Sequence, residues 1–187
     1  MHFQLHIKIH DLWFLFISNF SMEKRIRSHK RTAPGTHLVQ FRANTEGIKS
    51  FMPNDLSSFE YTLACSFCGK VINDVKINSE QTTTEGSEKK VNYSISCPDC
   101  KKEFTFTYIK DYTTNVYNDY SIWNNLFLVD CTGCRIDIIQ CNAWKIVSQG
   151  DESYEWDGKD NFFDYDAKLE KPIGISDVDF NVVTLIE

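Results

Sequence analysis

Cys65-Ser66-Phe67-Cys68 and Cys97-Pro98-Asp99-Cys100 are two C-x2-C pairs with 28 residues between them. Two intervening residues let both sulfurs of a tight turn face one ion. Two such turns supply four thiolates, the closed tetrahedral shell of a structural zinc site. Gly69 follows the first pair, where glycine can take the positive φ that such a turn needs, and Pro98 pre-sets φ in the second. The expectation is one Zn(2+) per chain, held by Cys65, Cys68, Cys97 and Cys100. Disulfides suit oxidising compartments, whereas this chain has seven cysteines, an odd number, and no clean secretory signal. A thioredoxin-like redox pair wants a βαβ setting, and both pairs here lie between strand-like runs.

Those runs must position the cysteines. Beyond residue 36 no long 3.6-residue period occurs; short alternating or β-branched segments recur between turn residues. They cover 37–43, 59–64, 71–77, 91–96, 103–109, 126–130, 135–140, 143–147 and 180–186. Phe104, Phe106 and Tyr108 alternate with Thr105 and Thr107, as in a half-buried strand, and Ile136, Ile138 and Gln140 read as one face in the same way. Residues 81–90 are polar and read as a loop; residues 115–125 are rich in Asn and Tyr and fit no pattern. The fold class is therefore all-β, with two packed antiparallel sheets in a β-sandwich-like arrangement. The two C-x2-C pairs fall where hairpins turn, so zinc would clamp two hairpin tips and close the loop between them.

Length and charge set further bounds. The 187 residues suit one domain with an extension: 42% are apolar, 25% charged and 14% aromatic. Residues 1–36 carry six Lys/Arg against two acids; residues 37–187 carry 14 against 24. An acidic body argues against a phosphate backbone as partner, so no nucleic acid is expected. Leu12–Ile17 is far short of a membrane span, Asp11 precedes it and no small-x-small cleavage site follows. No membrane association is expected. Residues 1–36 read as a disordered extension with a basic patch, or as a mis-assigned start with Met22 the true initiator; residues 37–187 read as a single zinc-binding β domain.

Cys131-Thr132-Gly133-Cys134 is a third pair, 66 residues after the first and again between strands. It suggests an internal repeat of two β units, the first holding metal. With Cys141 it could make a second site only by borrowing a carboxylate or water; burial as small hydrophobes is the simpler reading, and a redox pair is the sharper alternative.

Taken together these residues resemble the CXXC-motif-containing zinc-binding protein family of eukaryotes. The resemblance covers about residues 37–187. It begins at Phe41-Arg42-Ala43-Asn44-Thr45-Glu46-Gly47-Ile48, passes through the four cysteines, continues at Asp130-Cys131-Thr132-Gly133, and ends with Asp164-Tyr165-Asp166 and Gly174-Ile175. It implies a two-sheet all-β fold with internal pseudo-symmetry, one zinc on those four cysteines, and no established catalysis. Residues 1–36 have no counterpart in it, and Cys134 is an addition.

The residues themselves argue against an enzyme. Four thiolates leave no open metal position. Histidines occur only at 2, 6, 10, 29 and 37, and no G-x-S-x-G, H-E-x-x-H or phosphate-loop pattern is present. A glycosidase-type carboxylate pair could sit within residues 151–170, but a solvated acidic face explains those acids better. Tyr154, Trp156, Phe162, Phe163 and Tyr165 cover a sheet or, where exposed, anchor a partner. The expectation is a monomeric interaction domain with a protein partner, located in the cytoplasm with the nucleus as a further compartment. The alternative is a metal-handling or thiol-redox protein whose cysteines exchange.

Overall fold

The computed structural model describes residues 35–83, 88–112 and 120–185; the readings made above for residues 1–34 lie outside them. In chain order the strands are β1 (Gly35–Glu46), β2 (Ile48–Pro53), β3 (Phe59–Cys65), β4 (Val71–Lys76), β5 (Thr82–Thr83), β6 (Lys90–Val91) and β7 (Tyr93–Ser96). They continue with β8 (Glu103–Asp111), β9 (Asn124–Thr132), β10 (Cys134–Cys141), β11 (Trp144–Ser148), β12 (Ser153–Trp156), β13 (Phe162–Asp166) and β14 (Lys171–Thr184). No helix among these residues is long and apolar enough to cross a membrane.

One six-stranded antiparallel sheet, ordered β13-β14-β1-β9-β8-β7, faces two three-stranded sheets, β10-β3-β4 and β12-β11-β2. Alternation builds the core between them: Val39, Phe41 and Ala43 of β1, and Phe104, Phe106 and Tyr108 of β8, turn inward. Aromatic rings join the layers. Phe41 meets Phe51 and Trp144, Phe59 meets Phe127, Tyr61 meets Phe106, and Trp144 stacks on Phe180. The sandwich expected from the sequence is present, with its second layer split in two.

The internal pseudo-symmetry is also present, in a form the third cysteine pair did not suggest. Exchanging β1 with β9, β2 with β10, β3 with β11, β4 with β12, β7 with β13 and β8 with β14 maps the six-stranded sheet onto itself and swaps the two three-stranded sheets; the short β5–β6 ladder has no counterpart among the described residues. The repeat offset is therefore set by Gly47 and Gly133, 86 residues apart, not by the 66-residue echo of the first C-x2-C pair. Both glycines hold positive φ at the sharp corner where a strand leaves one layer for the other. Cys131–Cys134 is the equivalent of Thr45–Ile48, a corner rather than a knuckle.

Other expectations need correction. Ile136 and Ile138 do not share a face, because a bulge between them slips the register on β3: Ile136, Ile139 and Cys141 are buried, while Ile138 is only partly so. His37, the first residue of the strand expected over 37–43, is fully buried in β1. The strands β2, β12 and β13 and the first half of β14 went unread. In β12 and β13 most positions are exposed or half-exposed, so neither carries a clean apolar alternation, and β2 ends on Pro53. Residues 81–90, read as loop, contribute Thr82, Thr83 and Lys90 to a two-residue ladder between β5 and β6, completed by Val91.

Candidate metal centre

The β3–β4 and β7–β8 hairpins bring their tips together, each tip built by the same few bonds. Gly69 N–H returns to Cys65 O (2.9 Å) and Cys65 N–H to Lys70 O (2.8 Å); Lys101 N–H returns to Cys97 O (3.0 Å) and Cys97 N–H to Lys102 O (2.8 Å). Gly69 has φ +78° with nothing near its missing Cβ, so conformation alone calls for glycine there. Its counterpart Lys101 accepts φ +60° with a side chain.

The sulfurs of Cys65, Cys68, Cys97 and Cys100 all lie within 4.8 Å of one another. Cys65 and Cys100 Sγ are 3.6 Å apart, as are Cys68 and Cys97 Sγ. A tetrahedron with Zn–S bonds of about 2.3 Å has edges of about 3.8 Å, whereas a disulfide needs about 2.05 Å. The four sulfurs thus stand at the spacing of a zinc tetrahedron, not of two bridges.

Backbone donors surround them. The N–H groups of Cys100 and Asp99 point at Cys97 Sγ, that of Lys70 at Cys68 Sγ and that of Lys102 at Cys100 Sγ. Without metal, those donors to Cys97 outweigh desolvation and bring its thiol down to about 7. At Cys68 the Lys70 N–H pulls down, but desolvation and the three neighbouring sulfurs prevail and push it up to about 12. One charge is accommodated readily and further ones repel, as expected of a cage that a dication completes. Lys70, Lys101 and Lys102 line the loops and offset part of the two negative charges that a four-thiolate zinc carries. Cys65 and Cys97 are buried, Cys100 is half-buried, and Cys68 is exposed beside Phe67 at the tip.

The remaining cysteines are not among the four clustered sulfurs, although Cys134 pairs in register with Cys65. Cys131, Cys134 and Cys141 are free and buried, as the simpler reading held. A hydrogen bond with Cys134 and burial drive the Cys131 thiol well up, and burial pushes Cys141 up to about 12. Raised in this way, Cys131 and Cys141 favour the thiol form, which is a poor nucleophile.

The pseudo-equivalent hairpin tips, β11–β12 and β13–β14, hold an arrangement that sequence reasoning missed. Register places Ser148 where β3 has Cys65, since each faces the first residue of its partner strand, Ile48 or Cys134. Asp166 falls where the other hairpin has Cys97. Asp166 is 1% exposed and accepts from the N–H groups of Gly150 (2.8 Å), Lys168 and Leu169 (3.0 Å each). The Ser148 hydroxyl and these N–H groups hold its carboxyl below the usual range. Lys168 Nζ returns to Gly150 O (3.0 Å), crossing between the tips. The only sequence hint was Asp166 within the Asp-Tyr-Asp run.

Of the C-terminal aromatics, Phe162 is buried and Tyr154 and Trp156 are half-buried. Phe163 and Tyr165 stand 74% and 53% exposed on β13, at the edge of the large sheet.

Two solved structures share this fold. One, titled "Crystal Structure of C1orf123", superposes with a TM-score of 0.70 at 18% identity, covering 81% of this chain and all of its own. The other, a hypothetical protein from Plasmodium falciparum, gives 0.67 at 16% identity, covering 79% and 99%. No curated protein matches the chain. Residues 38–183 match the family described as "CXXC motif containing zinc binding protein, eukaryotic". That match spans nearly all of the β sandwich, including both hairpin tips that gather the four sulfurs, and the chain belongs to this zinc-binding family.

Proposed function

We propose that Cys65, Cys68, Cys97 and Cys100 bind one zinc ion per chain, that this ion is structural, and that the domain is a non-catalytic protein-interaction module of the cytoplasm or nucleus. The observation that carries the reading is the closed set of four sulfurs at tetrahedral spacing. Such a shell has no position for water or substrate, and the ion's effect is to join two hairpins. Seven free thiols favour a reducing compartment. The surface left for a partner is the acidic, aromatic stretch 151–170, with Phe163 and Tyr165 exposed.

The exposure of Cys68 favours one second reading, a metal-handling or thiol-redox role in which zinc leaves or the thiolates react. Metal content and thiol alkylation of the protein purified without added metal separate the two. One zinc per chain, with the four cysteines protected at neutral pH, supports the structural role. Substoichiometric zinc with rapid alkylation of Cys65, Cys68, Cys97 and Cys100 overturns it in favour of exchange.

A further inference from the structure

The split second layer leaves a groove between its two halves, about 620 Å³ in volume and within the range of ligand sites. Its inner wall is a stack of three rings. Trp144 lies 6.0 Å from Trp156 at 27° and 6.3 Å from Phe180 at 29°. Both indole N–H groups are tied to backbone carbonyls, Trp144 to Cys141 O and Trp156 to Asp160 O. The rings are therefore held in place, with half-buried Trp156 as the outermost member.

The rim is acidic. Glu60 and Asp74 come from one half-layer, Asp157 and Asp160 from the connection after β12, and among the described residues Lys159 is the only cation in the lining. Lys159 is 3.4 Å from Asp157, and the largely exposed Lys76 is 3.9 Å from Glu60. Asp74 and Asp160 have no Lys or Arg within ion-pair distance among the described residues. A second, smaller pocket of about 170 Å³ lies around Met52–Asp55, and its Asp55 is engaged by Ser57 and Ser58. Gly158 makes room for the larger groove: a Cβ there would press on Cys141 O and on Trp144 Nε1.

We propose that this groove recognises an arginine-bearing extended segment of a partner protein, the guanidinium lying against Trp156 and pairing with Asp160 and Glu60. A planar, weakly hydrated cation stacks on an indole face and takes carboxylates in its plane. The proposal rests on the interaction-module reading and deepens it.

The test uses the full chain loaded with zinc, titrated with an octapeptide of alternating arginine and glycine while tryptophan fluorescence is followed. A glutamate–glycine peptide serves as control. Saturable binding by the arginine peptide alone is expected, about tenfold weaker in a Glu60→Gln/Asp160→Asn variant and lost in Trp156→Leu. It is expected to be unchanged in Phe163→Ser/Tyr165→Ser. Should Trp156→Leu fold poorly, the exposed rim variant decides. No saturable binding, or binding indifferent to the rim variant, overturns the groove. Loss of binding in the Phe163/Tyr165 variant instead moves the site to the β13 edge and leaves the interaction reading standing. Binding that emerges only when Lys24, Arg25, Arg27, Lys30 and Arg31 are changed to glutamine means the chain's own basic segment fills the groove, which overturns a partner in trans. Zinc content, measured on the same samples, tests the structural-zinc reading separately.

Discussion

The two pairs of hairpin tips occupy equivalent places in one pseudo-symmetric fold, yet they are joined by different chemistry. In one half, four sulfurs from Cys65, Cys68, Cys97 and Cys100 converge at metal spacing. In the other, the buried carboxylate of Asp166 gathers three backbone N–H groups and the Ser148 hydroxyl. Each device answers the same problem: a hairpin tip presents backbone groups that a neighbouring tip cannot pair with directly. A carboxylate satisfies donors within hydrogen-bond reach, and their hydrogen bonds offset the cost of burying its charge. A metal joins four side chains at once, but only while they remain deprotonated. The fold holds a clamping device at both pairs of tips, and on the proposed reading a metal in one half would bring dependence on thiol chemistry.

The largest expected effect is on the zinc half. Cys97→Ser should release zinc and lower Tm by about 10–20 °C, as loss of a structural ion costs several kcal/mol. Hydrogen exchange should then rise at β3–β4 and β7–β8 and stay low at β11–β14; a uniform rise would show that the halves do not behave as separate clamps. Next comes Asp166→Ala, which strands the donors of Gly150, Lys168 and Leu169. It should lower Tm by about 5–10 °C with zinc content unchanged. Acid separates the two clamps. Metal binding needs thiolates, so protons displace zinc as pH falls, and the zinc half should loosen between about pH 6 and pH 4. Asp166 has a folded pKa below its ordinary 3.8. Its contribution is therefore fully present above that value and is lost only as pH falls through the depressed one. Exchange at the two tips, followed on descending pH, should show the cysteine tips opening first. Asp166 tips opening first would contradict the assignment.

The same contrast explains what could be read in the sequence. Cysteines at C-x2-C spacing announce their chemistry, because few other roles require four of them in two matched turns. The clamp of the other half consists of a serine, an aspartate and backbone amides, residue types found in any turn. Beyond the Asp-Tyr-Asp run that it shares with Asp164, nothing marks out Asp166 until the fold turns it inward. Strands with a buried face, such as 103–109, were legible from alternation. The mostly exposed β12 and β13 were not, because partial burial imposes no strict pattern on them. The repeat was misplaced for a related reason: a third C-x2-C pair outweighed the plainer match of Gly47 with Gly133. The bulge beside Ile138 slipped a face that strict alternation could not foresee.

The corner glycines sharpen the comparison further. A Cβ on Gly133 would stand 2.7 Å from Glu103 O and 3.1 Å from Phe104 Cβ; on Gly47 the nearest contact, at 2.7 Å, would be the Ile173 Cγ2 methyl, with the carbonyl Pro172 O further off at 3.1 Å. A backbone carbonyl in a paired strand cannot retreat, whereas a methyl group can. Both positions also carry the cost of positive φ. Gly133→Ala should therefore destabilise by about 2–3 kcal/mol and Gly47→Ala by about 1–2 kcal/mol in denaturant titrations. Equal values would mean that the two corners yield alike.

The smallest effect concerns charge at the metal tips. Lys70 and Asp99 approach to 3.5 Å across the two knuckles, with side chains 43% and 56% exposed. The pair looks like a strap over the zinc site, yet both groups are well solvated and their attraction is offset by the entropy of fixing two side chains. A double-mutant cycle of Lys70→Ala and Asp99→Ala should return a coupling below about 0.5 kcal/mol, vanishing in high salt. Lys70→Ala alone should nonetheless speed zinc loss to a chelator, because it removes a positive charge close to a thiolate-rich centre without touching the N–H that points at Cys68 Sγ. If coupling and zinc loss were both unaffected, lysine at that loop would be indifferent to the metal. The four sulfurs and their backbone donors would then account for the clamp by themselves.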